Sequence, residues 1–236
     1  DNLPWLEFRR VLFRSIEKNI SIPGYILIYE GSVPLGMPKA SMLGEHPVED
    51  TLIPAIQNAK LVVAIGTCAV FGGVPAAEGN PTGAVPLYKF MEKKDLSLKK
   101  LVALPTCPTH PESLIGTLAY YLRYGMPAVD AKYKRPVIFY NRSVHAECPR
   151  YHYYQNEVFA QSFGDEHGCL FKLGCLGPLS YAMCPRRQWN NGVNWCVRAN
   201  AGCIACSADS FVLSKDLPLY RKGEKYKSFN APRIKE

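Results

Sequence analysis

Cysteine is the feature that most constrains what this chain can fold into. The 236 residues include nine cysteines, and six of the nine lie between Cys169 and Cys206. An odd number of cysteines cannot pair completely into disulfides, and a chain of this length can bury an ordinary core without crosslinks. The crowding therefore predicts metal ligation.

The composition fits a globular protein and argues against a nucleic-acid partner. The hydrophobic fraction is 47% and the charged fraction is 20%, as in ordinary folded domains, and no apolar run approaches the roughly 20 residues that cross a bilayer. The formal charge is +8, but the basic residues are scattered in pairs such as Lys93-Lys94, without the aromatic-and-basic stripe that stacks bases. Metal-bound thiolates would also lower this charge.

The beginning of the chain matches no regular pattern. Residues 1–22 are interpreted as an unmatched leader, either non-native or disordered. A twin-arginine export signal is the alternative, suggested by Arg9-Arg10 and the apolar residues after it. Such a signal needs a long apolar segment next, and Glu17-Lys18-Asn19 interrupts it.

Residues 23–131 alternate short apolar runs with amphipathic segments. Alternating strands and helices predict an α/β domain, a parallel sheet with helices on its faces. The expected strands are Tyr25–Tyr29, Leu61–Ile65 and Lys100–Leu104, and the expected helices are Val48–Lys60, Pro86–Lys94 and Pro111–Tyr124.

Residues 132–236 lack this alternation and are rich in Cys, Gly, Asn, Pro and Tyr. Only one or two helices are expected, at Tyr151–Phe163 and Gly177–Met183. A segment so poor in periodicity needs more than an apolar core, and ligation free energy contributes to folding. We therefore predict an irregular, cysteine-rich metal domain with few helices.

Two cysteines follow strands of the predicted sheet. Cys68 comes just after the strand that ends at Ile65, and Cys107 follows the strand that ends at Leu104. Loops after parallel strands emerge at one edge, where α/β folds bind ligands, so the two thiols can converge on one object. Two buried cysteines without a ligand fit the same pattern.

Two larger groups lie further along the chain. The first is one imidazole with three thiols, a tetrahedral set that could hold zinc or a cubane cluster. The second is four thiols within a short stretch, with a Cys-x-x-Cys pair and a Cys-Pro pair typical of cluster sites, although spacing alone leaves zinc as a competitor. The groups are His145, Cys148, Cys169 and Cys175, and Cys184, Cys196, Cys203 and Cys206.

With these residues in place, the sequence resembles the small subunit of nickel–iron hydrogenases from about Gly24 to Phe211. The order and number of the matching segments make a chance match improbable. They are Glu30-Gly31-Ser32-Val33-Pro34, Gly66-Thr67-Cys68-Ala69, Pro105-Thr106-Cys107-Pro108-Thr109-His110-Pro111, His145-Ala146-Glu147-Cys148, Phe163-Gly164-Asp165-Glu166, Leu173-Gly174-Cys175-Leu176-Gly177-Pro178, Trp189-Asn190-Asn191-Gly192-Val193-Asn194-Trp195-Cys196 and Cys203-Ile204-Ala205-Cys206.

The resemblance implies a flavodoxin-like domain at 23–131 and an iron–sulfur domain at 132–236, with three clusters in a row. It assigns Cys68 and Cys107 to a proximal [4Fe-4S] cluster, His145, Cys148, Cys169 and Cys175 to a distal [4Fe-4S] cluster, and Cys184, Cys203 and Cys206 to a medial cluster. Many relatives have proline where Cys196 stands and carry a medial [3Fe-4S] centre. A fourth thiolate here predicts medial [4Fe-4S] instead.

The proximal site departs from the family. Its members open with a strand and a Cys-x-x-Cys loop, and no cysteine precedes Cys68. The proximal cluster is therefore incomplete in this chain or lost. The unmatched leader before Pro23 favours the first interpretation, a chain truncated at its N-terminus.

The function implied by the resemblance is electron relay, with no catalytic residue in this chain. Hydrogen would be split at a nickel–iron centre in a partner large subunit, and electrons would pass through the clusters to a carrier such as a cytochrome c or a membrane cytochrome b. The implied location is the periplasm or the outer face of the cytoplasmic membrane, with the cytoplasm as the alternative. The rival functions are an iron–sulfur subunit of another oxidoreductase and a zinc-stabilised binding module.

Overall fold

A computed structural model describes residues 14–211 of the chain. Most of the predicted leader, residues 1–13, and the polar tail from residue 212 lie outside the described residues. The chain divides into two compact units, Asp1–Arg135 and Pro136–Glu236. The boundary predicted between residues 131 and 132 lies a few residues earlier.

The first unit is built on a three-stranded parallel sheet, which confirms the predicted α/β class. The strands are β1 (Ile26–Glu30), β2 (Val33–Pro34), β3 (Met42–Leu43), β4 (His46–Pro47), β5 (Leu61–Ile65), β6 (Ala84–Val85) and β7 (Leu101–Leu104). The order in the parallel sheet is β1-β5-β7, with Ile26 opposite Leu61 and Val62 opposite Leu101. Strands β2 and β6, and strands β3 and β4, form two separate antiparallel pairs.

Three helices of the first unit begin and end within two residues of the predicted positions. From residue 14 onward, the α-helices of this unit are α1 (residues 14–20), α2 (Val48–Asn58), α3 (Gly66–Phe71), α4 (Leu87–Lys93) and α5 (Pro111–Tyr124). Two of them were not expected: α1 lies inside the predicted leader, and α3 is only six residues long.

The core of the first unit explains why continuous apolar runs became strands. All four residues of β7 and the first four of β5 are buried, as expected for parallel strands covered on both faces. Ile56 from α2 and Phe90 from α4 pack in the same apolar cluster. This packing fixes the carboxyl ends of the strands, from which the functional loops emerge.

Helix α5 begins and ends where the sequence predicted. Pro111 occupies its first turn, and the His110 Nδ1 atom accepts a hydrogen bond from the Glu112 backbone N–H at 3.2 Å. Gly125 ends the helix at φ +81°, a conformation that favours glycine. The helix therefore follows directly from the loop that carries Cys107.

The second unit has little regular structure, which confirms the expectation of an irregular, helix-poor segment. Its helices, as far as residue 211, are α6 (Val137–Tyr140), α7 (Tyr151–Gln155) and α8 (Cys184–Arg187). The helix predicted at Tyr151–Phe163 is wrong beyond Gln155, because Glu157 adopts φ +57° and Phe159 pairs with Cys169. The helix predicted at Gly177–Met183 is a 3-10 turn at Gly177–Leu179.

Across residues 14–211, no helix combines the length and the apolar character that a bilayer crossing requires.

Removing a core ring from α4 tests the packing of the first unit. Phe90 is fully buried, so Phe90→Ala should lower the free energy of unfolding by about 3–5 kcal/mol. Ile115→Ala is the control, because Ile115 is 64% exposed on α5 and should cost less than about 1 kcal/mol. Denaturant unfolding of the complete protein measures both, and equal midpoints would contradict this assignment of the core.

Candidate metal centres

The first candidate site lies at the carboxyl edge of the parallel sheet. Cys68 sits in the first turn of α3 directly after β5, and Cys107 lies in the loop after β7. The flanking threonines tie the two loops together: Thr67 N–H donates to the Thr106 carbonyl at 3.2 Å, and Thr106 N–H donates to the Thr67 hydroxyl at 3.3 Å. The structure thus brings the two predicted proximal cysteines to one place.

The backbone is pressed against Cys68 in a way that only glycine allows. Gly73 adopts φ +56°, and a Cβ atom added there would lie 2.4 Å from the Cys68 sulfur. No real side chain tolerates that distance. Only a residue without a side chain permits this close approach.

Burial raises the pKa of the Cys68 thiol, and the nearby charges of Cys107 and Glu30 add to the effect, while the Val74 backbone N–H opposes it. A thiol in such a place stays protonated on its own and needs a cation to become a ligand, because a bound metal deprotonates its thiols. Glu30, at the end of β1, belongs to a segment that carries the family resemblance, but it was assigned no role at this site from the sequence.

The second candidate site is a cavity in the second unit. His145, Cys148, Cys169 and Cys175, the four residues predicted as one ligand set, all line it. The volume that the centre of a water molecule can reach is about 10 Å³, and the wider recess of about 300 Å³ includes open solvent. Val144, Leu170 and Val197 supply apolar walls. Four residues spread over 31 positions of the sequence therefore meet around one space.

Local hydrogen bonds place these four side chains. The Cys148 N–H donates a hydrogen bond to the His145 carbonyl at 3.1 Å. This turn brings the imidazole and the thiol to the same side of the chain. Cys169 is fixed on both sides, since its N–H donates to Val158 and its carbonyl accepts from Ala160. The Cys175 N–H donates to Leu170 at 3.2 Å and closes the turn that follows Cys169.

The His145 ring has the environment of a ligand. Its Nε2 atom is buried and has no hydrogen-bond partner among the described residues. Tyr151 and Tyr154 meet the ring edge-on, with centroids at 5.1 and 4.5 Å. Burial lowers the pKa of His145, which favours the neutral imidazole that binds metals. His145 lines one cavity with three thiols, and a metal centre there would satisfy its orphaned buried nitrogen.

The three thiols of this cavity are protonated unless a cation is present. Burial raises the pKa of Cys169 to about 11 and raises those of Cys148 and Cys175. Arg150 opposes the shift at Cys148 and Cys169. Its guanidinium donates to the Gly168 carbonyl at 3.0 Å and to the Asn200 side chain. Sequence reasoning missed Arg150, although its place directly after Cys148-Pro149 was a signal.

The remaining four cysteines lie in two pairs. Cys184, at the start of α8, is close enough to Cys196 for their charges to interact, and Cys203 is similarly close to Cys206. Burial raises the pKa of Cys203 well above its ordinary value. Cys196 is exposed, whereas Cys203 is buried. Cys175 of the cavity interacts electrostatically with both Cys196 and Cys203. The predicted distal ligand group and the predicted medial ligand group therefore adjoin each other.

Within the described part of the chain, no three His, Cys, Asp or Glu side chains lie close enough to hold a single metal ion. The four cavity residues supply one imidazole and three thiols, a donor set that zinc or a cubane cluster could use.

Two family models match the chain, one for each half. The model for the C-terminal part of the NiFe/NiFeSe hydrogenase small subunit matches residues 140–218. The model described as NADH ubiquinone oxidoreductase, 20 Kd subunit, matches residues 6–121 and so begins inside the predicted leader.

Curated relatives are similar over most of the chain. The periplasmic [NiFeSe] hydrogenase small subunit of Desulfomicrobium baculatum is 37% identical, over 83% of this chain and 66% of its own length. The uptake hydrogenase small subunit of Azotobacter vinelandii is 37% identical, over 79% of this chain and 52% of its own length. The chain thus spans between about half and two thirds of the length of these relatives.

Solved structures are similar as well. The [NiFeSe] hydrogenase of Desulfomicrobium baculatum matches with a TM-score of 0.75 and 33% identity, covering 84% of this chain and 75% of that one. The [NiFeSe] hydrogenase of Desulfovibrio vulgaris Hildenborough matches with a TM-score of 0.75 and 36% identity, covering 84% and 74%.

Adding a methyl group at Gly73 tests the first site. Gly73→Ala would force the Cys68 sulfur aside, so the protein should lose metal at this site and keep it in the second unit. Gly79→Ala is the matched control, because Gly79 also has a positive φ, +96°, but a Cβ there meets nothing within 4 Å. Metal analysis per chain after oxygen-free purification makes the comparison, and equal contents would contradict a ligand role for Cys68.

Proposed function

The chain belongs to the family of nickel–iron hydrogenase small subunits, and on that premise we propose that it is the electron-transfer subunit of such an enzyme. Iron–sulfur clusters, when bound, take up and release single electrons. This chain's own residues hold the clusters, keep water away and set their potentials. The observation that carries the proposal is the cavity lined by His145, Cys148, Cys169 and Cys175.

The residues around that cavity support a redox centre. Three thiols and one imidazole supply the ligands of the distal [4Fe-4S] cluster. Apolar walls lower the local dielectric, and the Arg150 guanidinium contributes a fixed positive charge. Such a charge favours the reduced, more negative form of a cluster, since charge and burial help set the potential.

The other cysteines hold the remaining clusters in this proposal. Cys68 and Cys107 are two of the four thiolates of a proximal [4Fe-4S] cluster, and the positive φ at Gly73 lets the backbone close over it. Cys184, Cys196, Cys203 and Cys206 hold a medial [4Fe-4S] cluster rather than [3Fe-4S]. The domain assignment from the sequence follows: residues 23–131 serve the proximal cluster, and residues 132–236 serve the other two.

The partners and the compartment follow from the family. We infer a large subunit that carries the nickel–iron centre, and an external acceptor such as a cytochrome c or a membrane cytochrome b. A periplasmic location is supported by the names of relatives, among them the small subunit from Desulfomicrobium baculatum. Lys172 is an exposed lysine near the cavity, and its Nζ atom lies 4.2 Å from the centroid of the Phe159 ring. It adds positive charge where an acidic carrier would dock.

The rival functions make different demands on the chain. A subunit of a quinone-reducing complex would account for residues 6–121, whereas residues 140–218 match the hydrogenase model. A zinc module would account for the thiols but not for the match of residues 140–218 to the hydrogenase small-subunit model. The zinc module is an outcome of the test below.

Metal analysis of the oxygen-free protein tests the proposal. We expect a brown protein with broad visible absorbance, iron and acid-labile sulfide in nearly equal amounts, and little zinc, since cubane clusters contain both elements in equal number. A colourless protein with zinc and no sulfide would overturn the electron-transfer function. The same preparation analysed after exposure to a chelator is the control for loosely bound metal.

Removing the exposed medial thiol tests the cluster type. Cys196→Ala leaves three thiolates, so the medial centre should become [3Fe-4S], with a new electron paramagnetic resonance (EPR) signal in the oxidised protein and a higher potential. Val193→Ala is the control, because Val193 is 65% exposed in the same loop and carries no sulfur. An unchanged oxidised spectrum in Cys196→Ala would show that Cys196 is not a ligand.

A further inference from the structure

Backbone hydrogen bonds join the predicted distal ligand group to the predicted medial ligand group at one point. The backbone N–H of Cys203 donates to the sulfur of Cys175 at 3.2 Å. The neighbouring Leu176 N–H donates to the Cys203 carbonyl at 2.7 Å. Cys175 lines the cavity, and Cys203 belongs to the other group, so a ligand predicted for one cluster is bonded directly to the main chain of a ligand predicted for the next.

This contact depends on a glycine. A Cβ atom added to Gly202 would lie 3.0 Å from the Cys175 Cα and 3.3 Å from its backbone nitrogen. These atoms are main chain and cannot swing aside as a flexible side chain would. The absence of a side chain at Gly202 is therefore what lets residue 203 come close enough to donate to the sulfur.

The hydrogen bond acts in buried surroundings. Cys175 and Cys203 are 9% and 7% exposed, so water competes little for the sulfur, and a hydrogen bond is stronger there than at the surface. An N–H group directed at a cluster sulfur stabilises the more negative, reduced state, which is one of the ways in which proteins set cluster potentials.

We propose that Gly202 and the Cys203 backbone N–H are positioning groups that hold the Cys175 thiolate, raise the potential of the distal cluster and connect it to the medial group. The inference rests on the proposed function, because it needs clusters at both groups. It goes beyond that function by assigning a role to two groups that are not ligand atoms of the distal centre.

Gly202→Ala in the complete protein, purified without oxygen together with any copurifying subunit, tests the proposal. The added methyl should lengthen the bond from the Cys203 N–H to the Cys175 sulfur. We expect the reduction equilibrium of the histidine-ligated cluster to shift about fivefold toward the oxidised form, the usual effect of one hydrogen bond. An EPR-monitored redox titration measures this shift.

Gly192→Ala is the control. It adds the same methyl in the second unit, at a position where a Cβ meets nothing within 4 Å. The titration of this variant should stay within about twofold of the unmodified protein. If Gly202→Ala titrates like Gly192→Ala while both contain full iron, the inference is overturned and the proposed function stands. If the unmodified protein contains no clusters, the proposed function fails, and the inference fails with it.

A second measurement covers the case in which Gly202→Ala loses the cluster. Pulsed EPR of the unmodified reduced protein, exchanged in heavy water by reversible unfolding and reconstitution, should reveal a deuteron strongly coupled to the distal cluster in place of a proton, as a hydrogen bond to the Cys175 sulfur requires. The proposal is overturned if the fully exchanged protein shows no such deuteron coupling.

Discussion

The desolvation of cysteine sulfur is the constraint on which the second unit depends. Cys169, Cys175 and Cys203 are all buried, and burial raises the pKa of each thiol. Thiolates in such places need compensating charge, and the backbone N–H groups and Arg150 supply only part of it. A bound cluster completes the balance, so in the proposed function ligation and folding of residues 136–211 are coupled.

The first unit depends on a different principle, and this is why its fold could be predicted. Continuous apolar runs at Leu61–Ile65 and Leu101–Leu104 specify strands buried on both faces, and the capping residues around Pro111 and Gly125 specify α5. The convergence of Cys68 and Cys107 then follows from parallel topology alone. Local pattern and tertiary structure agree there.

The second unit was less predictable because its backbone follows its ligands rather than a periodic pattern. The segment after Gln155 has helical composition, yet it leaves the helix so that Phe159 can pair with Cys169. The ligand residues were evident from their chemistry and from family resemblance. Gly202 was not, since a glycine that acts by close approach leaves no spacing signal.

Solvent access differs sharply among the sulfurs of one group. Cys196 is exposed, Cys184 and Cys206 are half-buried, and Cys203 is buried. An oxidant arriving from water therefore meets Cys196 first and the remaining three thiols later. Within this chain, oxidative damage to the proposed medial centre would therefore begin at Cys196. The three more sheltered thiolates would still hold a smaller cluster.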